Sequence, residues 1–146
     1  MSSAFKETAG MERNIDLNRI QKLLDDPAHL CTLSTVGEDG TPNSAVFGSV
    51  QVHDGRITLG LGENHTLHNI RQNPDAMLML MVPGASVMAF GGIRLYLQCS
   101  AIETSGPLLE QIKDETRKQA GRAAAQMLKY AVTFTIGSSR PLLEMG

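Results

Sequence analysis

The fold is decided by residues 29–61, HLCTLSTVGEDGTPNSAVFGSVQVHDGRITLGL. Three β-rich runs lie in this stretch, at 29–36, 43–52 and 56–61, and turn chemistry separates them. Gly37-Glu38-Asp39-Gly40 divides the first two runs and Asp54-Gly55 divides the second two. Asp-Gly between β-rich runs is a strong hairpin signal, because Gly supplies the positive φ that tight turns require. Two such signals in succession predict a three-stranded antiparallel meander.

Before this stretch, residues 1–13 read as a loose N-terminal arm bearing Lys6, Glu7, Glu12 and Arg13. Asn14 is placed to cap a helix that carries Ile15, Ile20, Leu23 and Leu24 and stops at Pro27. After it, Gly60-Leu61-Gly62-Glu63-Asn64 opens into a short helix over 65–72, ended by Asn73-Pro74. Residues 76–82 form a buried run, Met77-Leu78-Met79-Leu80-Met81, whose length and flanking prolines suit a strand. Residues 83–92 carry no clear pattern, and 93–103 alternate again.

Thr104-Ser105-Gly106-Pro107 then introduces a longer helix with Leu108, Leu109 and Ile112. Ser105 is its candidate cap, Pro107 fits its first turn, and Gly121 breaks or hinges it before Met127. A last strand covers 130–136 and a tail follows over 138–146. Six antiparallel strands with few helices predict a mainly β fold, a small barrel, since closure removes exposed sheet edges. The barrel occupies a single domain over 14–146.

The composition excludes several classes. The 146 residues are 42% hydrophobic, too apolar for a disordered chain and long enough for one domain that buries about 70% of its unfolded surface. Aromatics are 4% with no Trp, and the net charge is −2. Such a chain lacks both the stacking platforms and the basic footprint of a nucleic-acid binder. Its core must be filled by Val, Ile, Leu, Ala and the eight Met residues. Cys31 and Cys99 each sit in an apolar run and read as buried, reduced residues, not as a disulfide framework. No stretch approaches the roughly 18 apolar residues of a membrane span, and residues 1–14 have no apolar signal core. A soluble cytoplasmic protein is the expectation.

The strong catalytic motifs are missing: no CxxC, HExxH, GxSxG or P-loop occurs. Gly60-Leu61-Gly62 is too short for a dinucleotide fingerprint and leaves a hairpin, not a βαβ unit. The informative segment is Gly62-Glu63-Asn64-His65-Thr66-Leu67-His68-Asn69-Ile70-Arg71. A helix starting here presents free N–H groups and the positive end of its dipole, to which Thr66 adds a hydroxyl and His65 a possible cation, so a phosphate could dock. The plainer alternative is that Asn64 or Thr66 caps the helix and no anion binds, and chemistry alone favours it. His65 and His68 share a helical face but lack a third metal ligand at useful spacing. Arg117, Lys118 and Arg122 read first as the wet face of the long helix, with anion contact as the other reading. The strand with Asn43, Ser44, Ala45, Val46, Phe47 and Gly48 is rich in small residues and could let a flat ligand lie against its backbone; packing against a neighbouring strand is the simpler account.

The series Leu30-Cys31-Thr32-Leu33-Ser34-Thr35, Gly37 to Asn43, Val52-His53-Asp54-Gly55, His65-Thr66 with Asn69-Ile70 and Asn73-Pro74, Cys99-Ser100-Ala101, and Thr104 to Pro107 resembles, in order and spacing, the FMN-binding split-barrel family related to pyridoxamine 5'-phosphate oxidase. It is similar to the small FMN-binding proteins of sulfate-reducing bacteria, over roughly residues 15–143. The resemblance implies a six-stranded antiparallel split barrel and a homodimer with FMN near the subunit interface. It places the flavin ring and ribityl chain against Asn43, Ser44, Ala45, Val46 and Phe47. The family's phosphate-binding Lys-Thr pair falls on His65 and Thr66, with Gly62 and Asn69 in the same segment. Residues from the partner subunit near the ring fall at Met127 and Leu143.

Three departures bear on function. His65 replaces the phosphate Lys, and an ordinary imidazole is only partly charged near pH 7. Val46 stands where small relatives often place an aromatic residue beside the ring. No Arg/His set matches the vitamin B6 contacts of the true oxidase. The implied activity is therefore electron or hydride transfer by a pyridoxamine 5'-phosphate oxidase-like oxidoreductase of unspecified substrate, with a nicotinamide or a redox protein as partner and no side chain assigned as acid or base. The alternative is a non-catalytic module of the same fold that holds flavin or haem.

Overall fold

The computed structural model describes residues 15–144. The N-terminal arm and the cap expected at Asn14 lie outside the described residues. In chain order the elements are α1 (Leu17–Asp25), β1 (Leu30–Val36), β2 (Pro42–Phe47), β3 (Gln51–His53), β4 (Arg56–Leu61), α2 (His65–Gln72), β5 (Asp75–Val82), a 3₁₀ turn (Val87–Ala89), β6 (Gly91–Glu103), α3 (Pro107–Ala120), α4 (Arg122–Met127) and β7 (Tyr130–Pro141). The fold is mainly β, as the sequence predicts.

The seven strands form one antiparallel sheet in the order β2-β1-β5-β6-β7-β4-β3. The predicted meander is corrected: the run read as one strand over 43–52 divides at Gly48-Ser49-Val50, so six strands become seven. Its first part pairs with β1 and its second with β4, at opposite ends of the sheet. Laid flat, those ends would be about 29 Å apart at the usual strand spacing. The three-residue link from Phe47 to Gln51 reaches at most about 14 Å. The sheet must therefore curl until its edges meet, which makes it a barrel.

Alternation along the strands fills the interior. Leu33, Leu78 and Leu95 face one another across β1, β5 and β6 and are all fully buried. Phe134, Ile57 and Leu59 continue the same core on β7 and β4. The methionine run is buried on one face only. Ala76, Leu78 and Leu80 point inward, whereas Met77, Met79 and Met81 are half-buried on the outer face.

The termini of the helices also refine the sequence reading. Asp16 caps α1 by accepting the Arg19 N–H at 3.0 Å, and Ile20 and Leu24 anchor that helix to the core. Ser105 makes no cap. Gly106, at φ +111°, holds the cap position of α3, in a region where a side chain would be strained, and Pro107 begins the helix. Gly121, at φ +94°, separates α3 from α4, as its position predicts. The last strand runs to Pro141, beyond Ile136, because the thirteen-residue β6 needs a partner along its whole length: Ile93 pairs with Pro141 and Arg94 with Arg140. Pairing overrides the weak strand propensity of Gly137-Ser138-Ser139.

Both cysteines are free thiols, but only Cys31 is fully buried; Cys99 is half-buried. Burial pushes the Cys31 thiol up to about 12. No helix among the described residues is long and apolar enough to cross a membrane.

Replacing Leu78 with Ala opens a cavity in the barrel interior and is expected to cost about 2–5 kcal/mol in urea unfolding. Met79→Ala on the same strand faces outward and is expected to cost about 1 kcal/mol or less. Equal losses for the two would contradict the assigned faces of β5.

Candidate functional site

A cleft of about 680 Å³ opens between the end of β2, the end of β4 and the α3–α4 unit. Val46 and Phe47 form one side, Gly60 to Asn64 the floor, and Thr116, Gln119, Met127 and Leu128 the opposite side. Its walls are mostly apolar. Val46 and Met127 are among the most exposed large apolar residues, at 70% and 71%.

Two glycines set the width of the cleft. A Cβ on Gly60 would lie 2.8 Å from Ile112 Cγ2 and 3.0 Å from Leu128 Cδ1. A Cβ on Gly62 would lie 2.7 Å from the Met127 carbonyl oxygen. Their absence lets the α3–α4 unit close onto β4, where the Lys129 N–H donates to the Leu61 carbonyl at 2.9 Å. The Gly60-Leu61-Gly62 motif thus serves close packing.

The floor of the cleft leads directly into α2. Asn64 caps that helix, its Oδ1 accepting the Leu67 N–H at 2.9 Å and its carbonyl accepting the His68 N–H at 3.2 Å. These bonds leave the first two N–H groups, on His65 and Thr66, outside the cap. The His65 side chain is exposed, Thr66 is buried, and His65 sits near the turn between β1 and β2. In that turn the Asp39 carboxylate accepts the Thr41 N–H at 3.0 Å. This bond holds the Asp39 carboxyl below its usual range, with a smaller contribution from His65.

Of the residues singled out from sequence, Val46, Phe47, Gly62 and Met127 line the cleft together. His65 and Thr66 lie just past its floor. Asn43, Ser44 and Ala45 lie further back along β2, where Ser44 Oγ meets Ser34 Oγ at 2.7 Å. Asn69 is fully buried and its Nδ2 donates to Thr35 Oγ1 at 3.1 Å, tying α2 to β1. Its Oδ1 is buried without a partner among the described residues. Leu143 lies past the end of β7, whereas the cleft adjoins the start of that strand, so within one chain the two do not meet. Met127, by contrast, lines the cleft of its own chain.

Sequence reasoning missed Glu63, Gln126 and Lys129. Glu63 and Lys129 line the cleft, and Glu63 accepts a hydrogen bond from the Tyr130 hydroxyl. Arg71 lies over the Tyr130 ring, 5.0 Å from its centre. Arg71 sits in the last turn of α2, and the ring beneath it is the one bonded to Glu63. Only the pairing of β4 with β7 brings Tyr130 beside Leu61, and no local signal announces it. Among the described residues no three His, Cys, Asp or Glu side chains cluster as metal ligands would.

The sequence profile of the pyridoxamine 5'-phosphate oxidase family matches residues 18–140. The chain belongs to that family. The split barrel of the pyridoxamine 5'-phosphate oxidase family is also what solved structures match. An FMN-binding protein from Syntrophomonas wolfei is 22% identical, with a TM-score of 0.78, over 99% of this chain and 97% of that one. A putative pyridoxamine 5'-phosphate oxidase from Lactobacillus delbrueckii is 19% identical, with a TM-score of 0.59, over 88% and 98%. HutZ, described as a heme storage protein of Vibrio cholerae, is 16% identical, with a TM-score of 0.62, over 89% and 91%. At these identities the likeness is one of fold. No curated protein matches the chain.

Gly62→Ala is expected to push the Met127 carbonyl outward and cost about 1–3 kcal/mol through overpacking. A thermal melt at wild-type temperature would refute the close approach. The Asp39 bond sets a second expectation. Because the folded carboxyl titrates below its ordinary value, the hold on Thr41 is complete above pH about 4 and is lost as pH falls through the lowered value. Thr41 amide exchange, followed by NMR, should lose protection over that acid range in the wild type, with no such pH dependence in Asp39→Asn.

Proposed function

We propose that this chain is an FMN-binding flavoprotein of the pyridoxamine 5'-phosphate oxidase family, acting in electron or hydride transfer. The observation that carries the reading is the continuity between a mostly apolar cleft and the open first turn of α2. The cleft volume of about 680 Å³ falls within the range of about 300–1,000 Å³ usual for small-ligand sites. A flat ring fits between Val46 and Phe47 on one side and Met127 and Leu128 on the other. The N–H groups of His65 and Thr66, with the helix dipole behind them, suit a phosphate.

Bound FMN would supply the redox chemistry. The chain's own part is to orient and to shield. Val46 and Met127 give up exposed apolar surface to the ring, Gly62 sets the floor, and the α2 terminus fixes the charged end. Asn64 preorganises that terminus, and Asn69 ties the helix to β1. The electron donor is proposed to be a nicotinamide nucleotide or a redox protein.

The proposed unit is a homodimer, and the outer face of the barrel supports it. Val46, Thr32 and Met79 form one row across β2, β1 and β5, and Ser44, Ser34 and Met77 form the next. Leu30, 45% exposed, pairs with Met81 beside them. A second subunit on this face of aliphatic, thioether and hydroxyl side chains would complete the cleft beside Val46, and Leu143 is the residue it is proposed to contribute. A haem-binding module is the second reading. It is favoured by the surface exposure of His65 and His68, one turn apart on α2, together with the heme-storage description of HutZ.

Freshly purified protein, or protein mixed with FMN, should show flavin absorbance and elute at the mass of a dimer. His65→Lys should tighten FMN by about five- to tenfold, as a full charge beside phosphate is worth about 1 kcal/mol, and should leave riboflavin unchanged. Failure to take up FMN, with a Soret band on adding haem, would replace the flavin reading with the haem one. An unchanged FMN affinity in His65→Lys would move the phosphate away from α2.

A further inference from the structure

We propose that the groove between α3 and α4, at Lys113, Arg117 and Arg122, is an anion subsite that takes the phosphate of a nucleotide whose flat part lies in the adjoining cleft. The proposal rests on the flavin reading for the occupant of the cleft, but the groove can be tested by itself.

The placement follows from the sequence. Lys113 and Arg117 are four residues apart and share one face of α3. At Gly121, with φ +94°, the chain turns, and α4 folds back so that Arg122 faces the same space. The groove holds about 450 Å³, with Ala125 and Gln126 along its α4 side. Gln126 also lines the cleft, so the two cavities meet there.

The charges in the groove favour an anion. Glu110 is the one carboxylate among its lining residues, against three cations. Asp114 accepts from Arg117 Nη1, but a guanidinium has five N–H donors and the remainder of the fork stays available. Among the described residues neither Lys113 nor Arg122 has an ion-pair partner. Lys118, on the same helix, is paired with Glu115 at 3.9 Å and does not line the groove. Lys113 is half-buried, so its charge is less screened than that of a fully exposed lysine.

The surroundings of α2 sharpen the contrast. His65 lies near Asp39, whose negative charge opposes a phosphate there. On the far side of the cleft, Lys129, Lys113, Arg117 and Arg122 outnumber the nearby carboxylates of Glu63, Glu110 and Asp114 by four to three. Cleft and groove together exceed about 1,000 Å³, the upper end for a single small-ligand site. That space suits either one elongated nucleotide or two. The phosphate has two sources: a phosphate of the nucleotide that reduces the flavin, with the flavin's own phosphate at α2, or the tail of the flavin mononucleotide, in which case the groove replaces α2 as its site.

The test compares wild type with the Lys113→Gln/Arg122→Gln double variant, the Arg122→Gln single variant and Lys118→Gln as control. Binding of FMN and riboflavin is read by flavin fluorescence, and binding of 2',5'-ADP and adenosine by calorimetry, at low and high salt. The double variant should weaken a phosphate-bearing probe by about tenfold or more and flatten its salt dependence, with riboflavin, adenosine and the Lys118→Gln control unchanged. A loss confined to FMN identifies the flavin's own phosphate. A loss confined to 2',5'-ADP identifies a second nucleotide. Groove-dependent 2',5'-ADP binding without any flavin binding upholds the groove and removes the flavin reading. The proposal is overturned if no phosphate-bearing probe binds, if the double variant binds as wild type does, or if Lys118→Gln loses as much. Should the double variant fail to fold, the single variant and the wild-type salt slope decide in the same way.

Discussion

Three residues, Gly48, Ser49 and Val50, join the two outermost strands of a seven-stranded sheet, and the rest of the molecule accommodates the curl that this link forces. Because the covalent connection is shorter than the width of a flat sheet, β2 and β3 must lie close together. The interior this creates is filled by inward-facing aliphatic residues from β1, β4, β5, β6 and β7. The same bend at Gly48 leaves the end of β2 standing free, with Val46 exposed. That free end forms one wall of the cleft.

The opposite wall depends on what is missing from β4. Gly60 and Gly62 have no side chains where Ile112, Leu128 and the Met127 carbonyl come to rest, so the α3–α4 unit packs against backbone. Larger residues at either position would hold the helices off and widen the cleft. The site is thus shaped by close approach of main chain, in keeping with a chain of 4% aromatics and no Trp. A flat ligand here meets aliphatic, thioether and peptide surface, with Phe47 as the aromatic residue lining the cleft.

Charge is arranged unevenly around that surface. One end of the cleft leads to the first turn of α2, which offers N–H groups and His65 but lies near Asp39. The other end leads to the α3–α4 groove, where three cations face one carboxylate. Asn69, which the sequence suggests as a ligand contact, is buried on α2 and bonded through its Nδ2 to Thr35. Its Nδ2 bond ties the helix to the strand, while its Oδ1, equally buried, has no partner among the described residues.

The amino-acid sequence by itself determined the local elements. Turn chemistry at Gly37 to Gly40 and Asp54-Gly55, the helix over 65–72 with its Asn64 cap, and the break at Gly121 all depend on short-range sterics and hydrogen bonding, and all appear where the residues place them. The order and spacing of motifs were enough to suggest the pyridoxamine 5'-phosphate oxidase family. Only the tertiary structure decided which strands pair. Pairing energy comes from contacts distant in sequence, so it could divide 43–52 between two sheet edges and draw Gly137-Ser138-Ser139 into β7 against their local preference. The site followed the same rule. Val46, Gly62 and Met127 meet, and Gln126 joins the cleft to the cationic groove, because β4 pairs with β7 and two glycines let the helices approach, and neither condition can be read from any one segment.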